Sequence, residues 1–146
     1  MLTPREQGDF GEMQAACWLA SQGAHVAIPF GNNRHWDLIA ELGDRVLRVQ
    51  VKTSRSLRLG RWEVRVSTSG GNQSWNRVVK LLDPSRFDYL FVLVGDGRRW
   101  FIPAERVEGG TALRLGVPST LNSRLIGAIR SPAAQSNYPP LQSPPD

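Results

Sequence analysis

Apolar and polar positions alternate along this chain with two different periods, and the change of period divides it into elements. From Pro4 to Gly23 apolar residues recur at three- and four-residue steps: Phe10, Met13, Cys17 and Ala20 form one series, and Ala16, Leu19 and Gly23 another. That spacing predicts a helix. Thr3 ahead of Pro4, with Glu6 three residues after it, is the signature of a capped N-terminus with proline in the first turn. Gly23 supplies the C-terminal stop. His25 to Pro29 reads as a short strand, and GNNRH after it is loop chemistry.

Beyond Trp36 the period falls to two. Trp36 to Leu42 and Val46 to Thr53 alternate, and Gly43-Asp44 between them forms a two-residue hairpin turn. Glu63 to Ser67 is a third alternating run, and TSGGNQSWN is a loop by composition. Asn76 to Leu82 predicts a short helix ended by Asp83-Pro84. Phe87 to Val94 is an almost unbroken apolar run of strand length, as expected of a central strand covered on both faces. Gly95-Asp96-Gly97 turns it into Arg98 to Ile102, and Pro103 opens a short helical or irregular piece, AERVEG. This order predicts an α/β or α+β layer built on one sheet. Proline and small polar residues dominate after about residue 130, so that tail is expected to be disordered. The expected division is a domain over 1–115 and a C-terminal extension over 116–146.

The hairpin turn fixes a register. With Gly43 and Asp44 as its two residues, Asp37 falls opposite Gln50, at a Cα separation of roughly 4.5–5.5 Å. Lys52 lies two residues on and shares that face, as do Arg48 and Glu41. Leu38, Ala40, Leu42, Leu47, Val49 and Val51 make up the other face, and all are apolar. A one-residue slip would bury Asp37, Gln50 and Lys52 together, so the pattern specifies the register. The polar face is therefore expected to point outward or into a cleft. Any surface hairpin has such a face, so this geometry alone does not require a catalytic role.

Composition adds a partner class. A formal net charge of +5 favours a polyanion, although a solvated basic surface has the same charge. The cations are nearly all arginine, with Lys52 and Lys80 the only lysines. No stretch approaches the ~20 apolar residues of a membrane span. The polar N-terminus lacks the apolar segment of a signal peptide. The lone Cys17 matches no disulfide or zinc spacing, which fits a reducing cytoplasm.

These residues resemble the PD-(D/E)XK nucleases. That pattern has an Asp at a strand start, a turn, an (E/D)-x-K on the next strand, and a Glu on the preceding helix. Here the matching positions are Asp37, Gln50-Val51-Lys52 and Glu12. The likeness is greatest to a small subgroup with Gln in place of the motif acid, which includes an intron-encoded homing endonuclease. It runs through GDFGEMQAACWLASQG, VAIPFG, WDLI, RVQVKT, FDYLFVLV and WFIP, covering roughly residues 8 to 105. Trp36 stands where the family has its Pro. The resemblance implies a restriction-endonuclease-like α/β core: a central mixed sheet with an N-terminal helix and a second short helix, in the order αβββαβ.

It also implies a metal-dependent DNA endonuclease that leaves a 5′-phosphate. Asp37, Gln50 and Glu12 are the expected ligands of Mg²⁺ or Mn²⁺, with Gln50 offering its amide oxygen. Lys52 is expected near the scissile phosphate. Gln50 removes one negative charge, which implies a weaker or single-metal site. Arg55, Arg58 and Arg61, with Arg65 beyond them, flank a turn at Gly60 and are expected to meet DNA phosphates. Asn72 and Trp75 in the glycine-rich loop are candidates for groove or base contacts. Trp18, Trp62 and Trp100 are most simply core. His35 beside the site is read as structural or solvated. So small a domain suggests a homodimer or homotetramer on two strands. The competing readings are a catalytically weak or inactive DNA-binding module on the same fold, a Holliday-junction-resolvase-like or repair nuclease, and a structural subunit with a protein partner.

Overall fold

The computed structural model describes residues 1–31, 35–69, 79–107 and 110–116. Its first element, α1, spans Pro4–Ser21 and begins as its sequence dictates. The Thr3 amide donates to Glu6 Oε2 at 2.7 Å, and the Glu6 amide donates back to Thr3 Oγ1 at 3.3 Å. This reciprocal box satisfies two amides that a helix start otherwise leaves to solvent, and the bonds from Thr3 hold the Glu6 carboxyl below its ordinary pKa.

Strands β1 (His25–Ala27), β2 (Leu38–Leu42) and β3 (Arg45–Ser54) follow. The next strands are β4 (Leu57–Arg58), β5 (Arg61–Arg65), β6 (Ser67–Ser69) and β7 (Val79–Leu81). The last three are β8 (Tyr89–Val94), β9 (Arg99–Pro103) and β10 (Ala112–Leu115). Single-turn 3-10 helices occupy Pro84–Arg86 and Ala104–Arg106. The main sheet has the order β1-β2-β3-β8-β9, and it is mixed because β3 and β8 run parallel while its other pairs are antiparallel. The hairpin register is the expected one, from Leu38 opposite Val49 to Leu42 opposite Arg45.

Two apolar layers hold this sheet. On one face Leu38, Ala40, Leu47, Val49 and Val51 join Phe91 and Leu93 beneath Ala15 and Leu19 of α1. Trp18 reaches the same layer, its ring centroid 5.7 Å from Phe91 and 5.0 Å from Phe101. The opposite face carries Leu90, Val92, Val94 and Trp100, covered by Trp62, Val64 and Val66. Every residue of β8 is buried, as its unbroken apolar run requires. The covering layer is a second sheet, ordered β10-β5-β4. Arg48 clamps β3 to the start of β8: its amide donates to Asp88 Oδ2 at 2.7 Å and its Nη2 to Oδ1 at 3.0 Å.

Two sequence expectations change. The short helix predicted over 76–82 is instead strand β7 over Val79–Leu81, paired with β6; residues 76–78 lie outside the described segments. A four- to five-residue apolar run carries too little periodicity to separate helix from strand. On α1, the side facing the sheet is Gly11, Ala15 and Leu19, whereas Phe10, Met13 and Cys17 are exposed. The small residues set the distance between helix and sheet. A Cβ at Gly11 would run into Thr53 Cγ2 and come within 3.5 Å of Val51 Cγ1. Thr53 cannot turn away freely, because its Oγ1 accepts from Gln7 Nε2 at 3.0 Å. Gly11→Ala is therefore expected to destabilise the chain by about 1–2 kcal/mol in a urea melt, overpacking outweighing the helix propensity gained.

Candidate active site

Asp37 stands just before β2, and its amide donates to Val49 O at 2.8 Å. The carboxylate turns toward β3, where Oδ2 accepts from Val51 N at 2.7 Å and from Gln50 Nε2 at 2.6 Å. Gln50 is buried, so at this point the polar face of the hairpin lies within the fold and does not point outward. Lys52 follows at two residues, half-buried, and its ammonium attracts the Asp37 carboxylate.

Burial nonetheless dominates at Asp37 and raises its pKa, against the lowering effects of the Val51 amide, Lys52 and Gln50. Glu12 is raised too, first by burial and then by repulsion from Asp37 and Asp9. The helix thus brings a second carboxylate within electrostatic reach of the first. Two partly desolvated carboxylates, one of which feels the charge of the other, make a place where a cation is favoured.

The set of donors suits a hard divalent cation. Asp37 and Glu12 offer carboxylate oxygens, and the amide of Gln50 and the carbonyl of Val51 offer neutral ones. Among the described residues no group of three or more His, Cys, Asp or Glu is placed to hold a metal ion. Any such site here rests on two acids completed by neutral oxygens. Gln50 points its nitrogen inward, donating to Asp37 Oδ2 and, at 3.3 Å, to Val51 O. Both partners are acceptors, which fixes the amide in this sense. Its NH₂ thus lies against these two oxygens, and ligation of a cation by Gln50 Oε1 would require the amide to turn over.

The structure therefore brings together Glu12, Asp37, Gln50 and Lys52. Arg55, Arg58 and Arg61 are exposed beyond the end of β3, with Arg58 opposite Arg61 across the β4–β5 hairpin. Arg114 on β10 joins Arg58, Leu59, Arg61 and Glu63 around a groove of about 610 Å³. The sequence reading missed Arg114, whose only local sign is the alternation in Ala112–Leu115. Asn72 and Trp75 lie outside the described residues. Trp62 and Trp100 are core as expected, and Trp18 packs against Phe91 and Phe101. His35 is exposed.

Restoring an acid at position 50 tests the electrostatics directly. Gln50→Glu replaces a donated hydrogen bond to Asp37 by repulsion between buried carboxylates. The metal-free protein is expected to lose roughly 3 kcal/mol at neutral pH. Added Mn²⁺ should then raise the melting temperature by more than it does in the parent chain. Thermal melts with and without Mn²⁺ measure both effects.

Comparison with known proteins agrees with this geometry. A family model described as PD-(D/E)XK endonuclease matches residues 2–126. A search of curated proteins finds no match. Among solved structures, the bacterial homing endonuclease I-Ssp6803I is similar at a TM-score of 0.70 with 22% identity, covering 82% of each chain. Hjc of Archaeoglobus fulgidus, a Holliday junction resolvase from an archaeal hyperthermophile, is similar at a TM-score of 0.51 with 14% identity. That match covers 82% of this chain and 95% of the resolvase. The family match spans most of the sequence, the sheet is the mixed sheet expected of a restriction-endonuclease-like fold, and the acid-glutamine-lysine face stands at its center: the chain belongs to the PD-(D/E)XK endonuclease family.

Proposed function

We propose that this protein is a divalent-metal-dependent DNA endonuclease in which Asp37, Glu12 and Gln50 hold Mg²⁺ or Mn²⁺ and Lys52 faces the scissile phosphate. One observation carries the reading: the Asp37 carboxylate is held against β3 by Val51 N and Gln50 Nε2, with Glu12 and Lys52 within electrostatic reach of it. A bound divalent ion supplies Lewis acidity and a water that deprotonates near neutral pH. The chain's own groups do the rest. Asp37 and Glu12 provide the charge that draws the ion in, and Gln50 completes its oxygen set once its amide has turned. Lys52 orients the attacking water and stabilises charge growing on the phosphoryl oxygens. Arg55, Arg58 and Arg61 fix the duplex by its phosphates. Asn72 and Trp75 are proposed to add groove or base contacts.

Neither neighbour's substrate decides the DNA form, so the test uses supercoiled, linear and four-way-branched DNA with Mg²⁺ or Mn²⁺. Nicking or cutting of any of these that chelation abolishes supports the proposal. Absence of cleavage with every DNA and both metals sinks it. The second reading, a DNA-binding module without activity, draws on the inward NH₂ of Gln50. It expects salt-sensitive DNA binding and no cleavage even for Gln50→Glu. A homodimer or homotetramer is proposed for cutting two strands, and sedimentation with DNA measures it. No described helix is long and apolar enough to cross a membrane; a cytoplasmic setting is proposed from the single exposed thiol of Cys17.

A further inference from the structure

The tip of the β4–β5 hairpin holds a leucine where turn chemistry favours a different residue. Arg58 pairs with Arg61, leaving Leu59 and Gly60 as the loop, with φ of 49° and 74°. A two-residue loop with positive φ at both positions is a type I′ turn, normally filled by Asn-Gly. Glycine takes that conformation without cost, whereas a leucine Cβ is crowded by the neighbouring carbonyl. Leu59 is also fully exposed, so no packing within the chain offsets the crowding. Its surroundings are cationic: among the described residues, Arg58, Arg61 and Arg114 line the adjoining groove with Glu63 as the single acid. None of these three arginines has an ion-pair partner among the described residues.

A strained apolar tip inside a collar of arginines matches one kind of surface closely. Duplex DNA presents anionic phosphates outside and apolar stacked bases within, and proteins that kink it insert side chains such as leucine between base pairs. We propose that Leu59 is a wedge that enters a base step of duplex DNA while Arg58, Arg61 and Arg114 grip the flanking phosphates. This inference rests on the DNA reading given above and adds the mode of contact. The hairpin is anchored to the strand that carries Lys52: Ser54 Oγ donates to Glu63 O, and the Glu63 amide donates to Ser56 O at 2.9 Å. An extended chain from residue 52 to residue 59 spans no more than about 25 Å. With the reach of the two side chains added, the wedged step lies within about ten base pairs of the phosphate at Lys52.

The test is binding of the full chain, in chelator, to duplexes carrying 2-aminopurine at successive positions outward from the cut. Unstacking at the wedged step raises the fluorescence of one position within that distance. Leu59→Ala abolishes the rise and weakens binding roughly ten- to a hundredfold, the equivalent of one leucine left unburied. Leu59→Met restores both. Arg58→Ala keeps the rise and lowers the salt dependence of binding by about one phosphate contact. Leu59→Gly relieves the crowded turn, so a thermal melt at or above the parent's confirms that lost binding is not lost folding. A parent chain that shows no rise, or a Leu59→Ala that binds like it, overturns the wedge. So does a Leu59→Ala whose only change is in self-association. If the parent binds no DNA at low salt, the endonuclease reading falls as well; if it binds and cuts while Leu59→Ala does the same, only the wedge falls.

Discussion

Lys52→Ala is expected to lower DNA cleavage by about 10²- to 10³-fold, the scale on which removing one preorganised donor to a developing oxyanion acts. DNA binding should weaken far less, because a single phosphate contact among many is a small share of the total. A single-turnover cleavage assay beside a binding titration in chelator separates the two. Equal losses in both would make Lys52 a docking residue instead. A further readout distinguishes electrostatics from a general structural defect. The Lys52 ammonium lowers the proton affinity of Asp37. Removing it lets burial raise that affinity further, so the acid limb of the residual pH–rate profile moves to higher pH. A variant whose profile stays in place, however inactive, would contradict the assigned contact.

The register that places Lys52 was legible in the sequence because strand periodicity leaves little freedom. Slipping the hairpin by one residue would turn Asp37, Gln50 and Lys52 into the apolar layer beneath α1 in place of Leu38, Val49 and Val51, and would break the bonds Asp37 makes with Gln50 and Val51. The capping box at Thr3 and Glu6 was legible for a similar reason: both partners lie within one turn. The second layer was not legible. β4 and β10 are two and four residues long, too short to show a period, and β10 meets β5 from far along the chain. Pairing of that kind depends on where the main sheet needs cover, which no local pattern encodes.

The buried face of α1 was hidden for another reason. A 3.6-residue period admits several apolar stripes, and size decides among them. Gly11 and Ala15 let the helix settle against β3, while the bulkier Phe10 and Met13 stay outside. That choice also sets the site, since Glu12 neighbours Gly11 and reaches Asp37 only because the helix lies so close. The sense of the Gln50 amide was equally out of reach. A register shows that Gln50 faces Asp37, but only the neighbouring Val51 carbonyl shows which end of the amide turns inward.

Asp37→Asn should move activity and stability in opposite directions. Cleavage is expected to fall by at least about a thousandfold, because the carboxylate proposed to anchor the metal ion is gone. The metal-free protein should gain stability at neutral pH. Burial raises the Asp37 pKa in the folded chain above its ordinary value, so the folded state holds that proton to higher pH than the unfolded state does. The stabilising contribution is complete below the ordinary aspartate pKa and is lost as pH rises through the folded-state pKa. At neutral pH the parent chain carries an ionised, desolvated carboxylate beside Glu12, which asparagine removes. Asparagine's side-chain oxygen can still accept from Val51 N, keeping the strand contact. The stability advantage of the variant should therefore shrink as pH falls and vanish below the ordinary aspartate pKa. Mn²⁺ supplies the complementary measurement: on the proposed function it should stabilise the parent by binding the folded state alone, and that increment should disappear in Asp37→Asn. A variant that keeps the Mn²⁺-dependent rise in melting temperature would remove Asp37 from the metal site and with it the basis of the proposed chemistry.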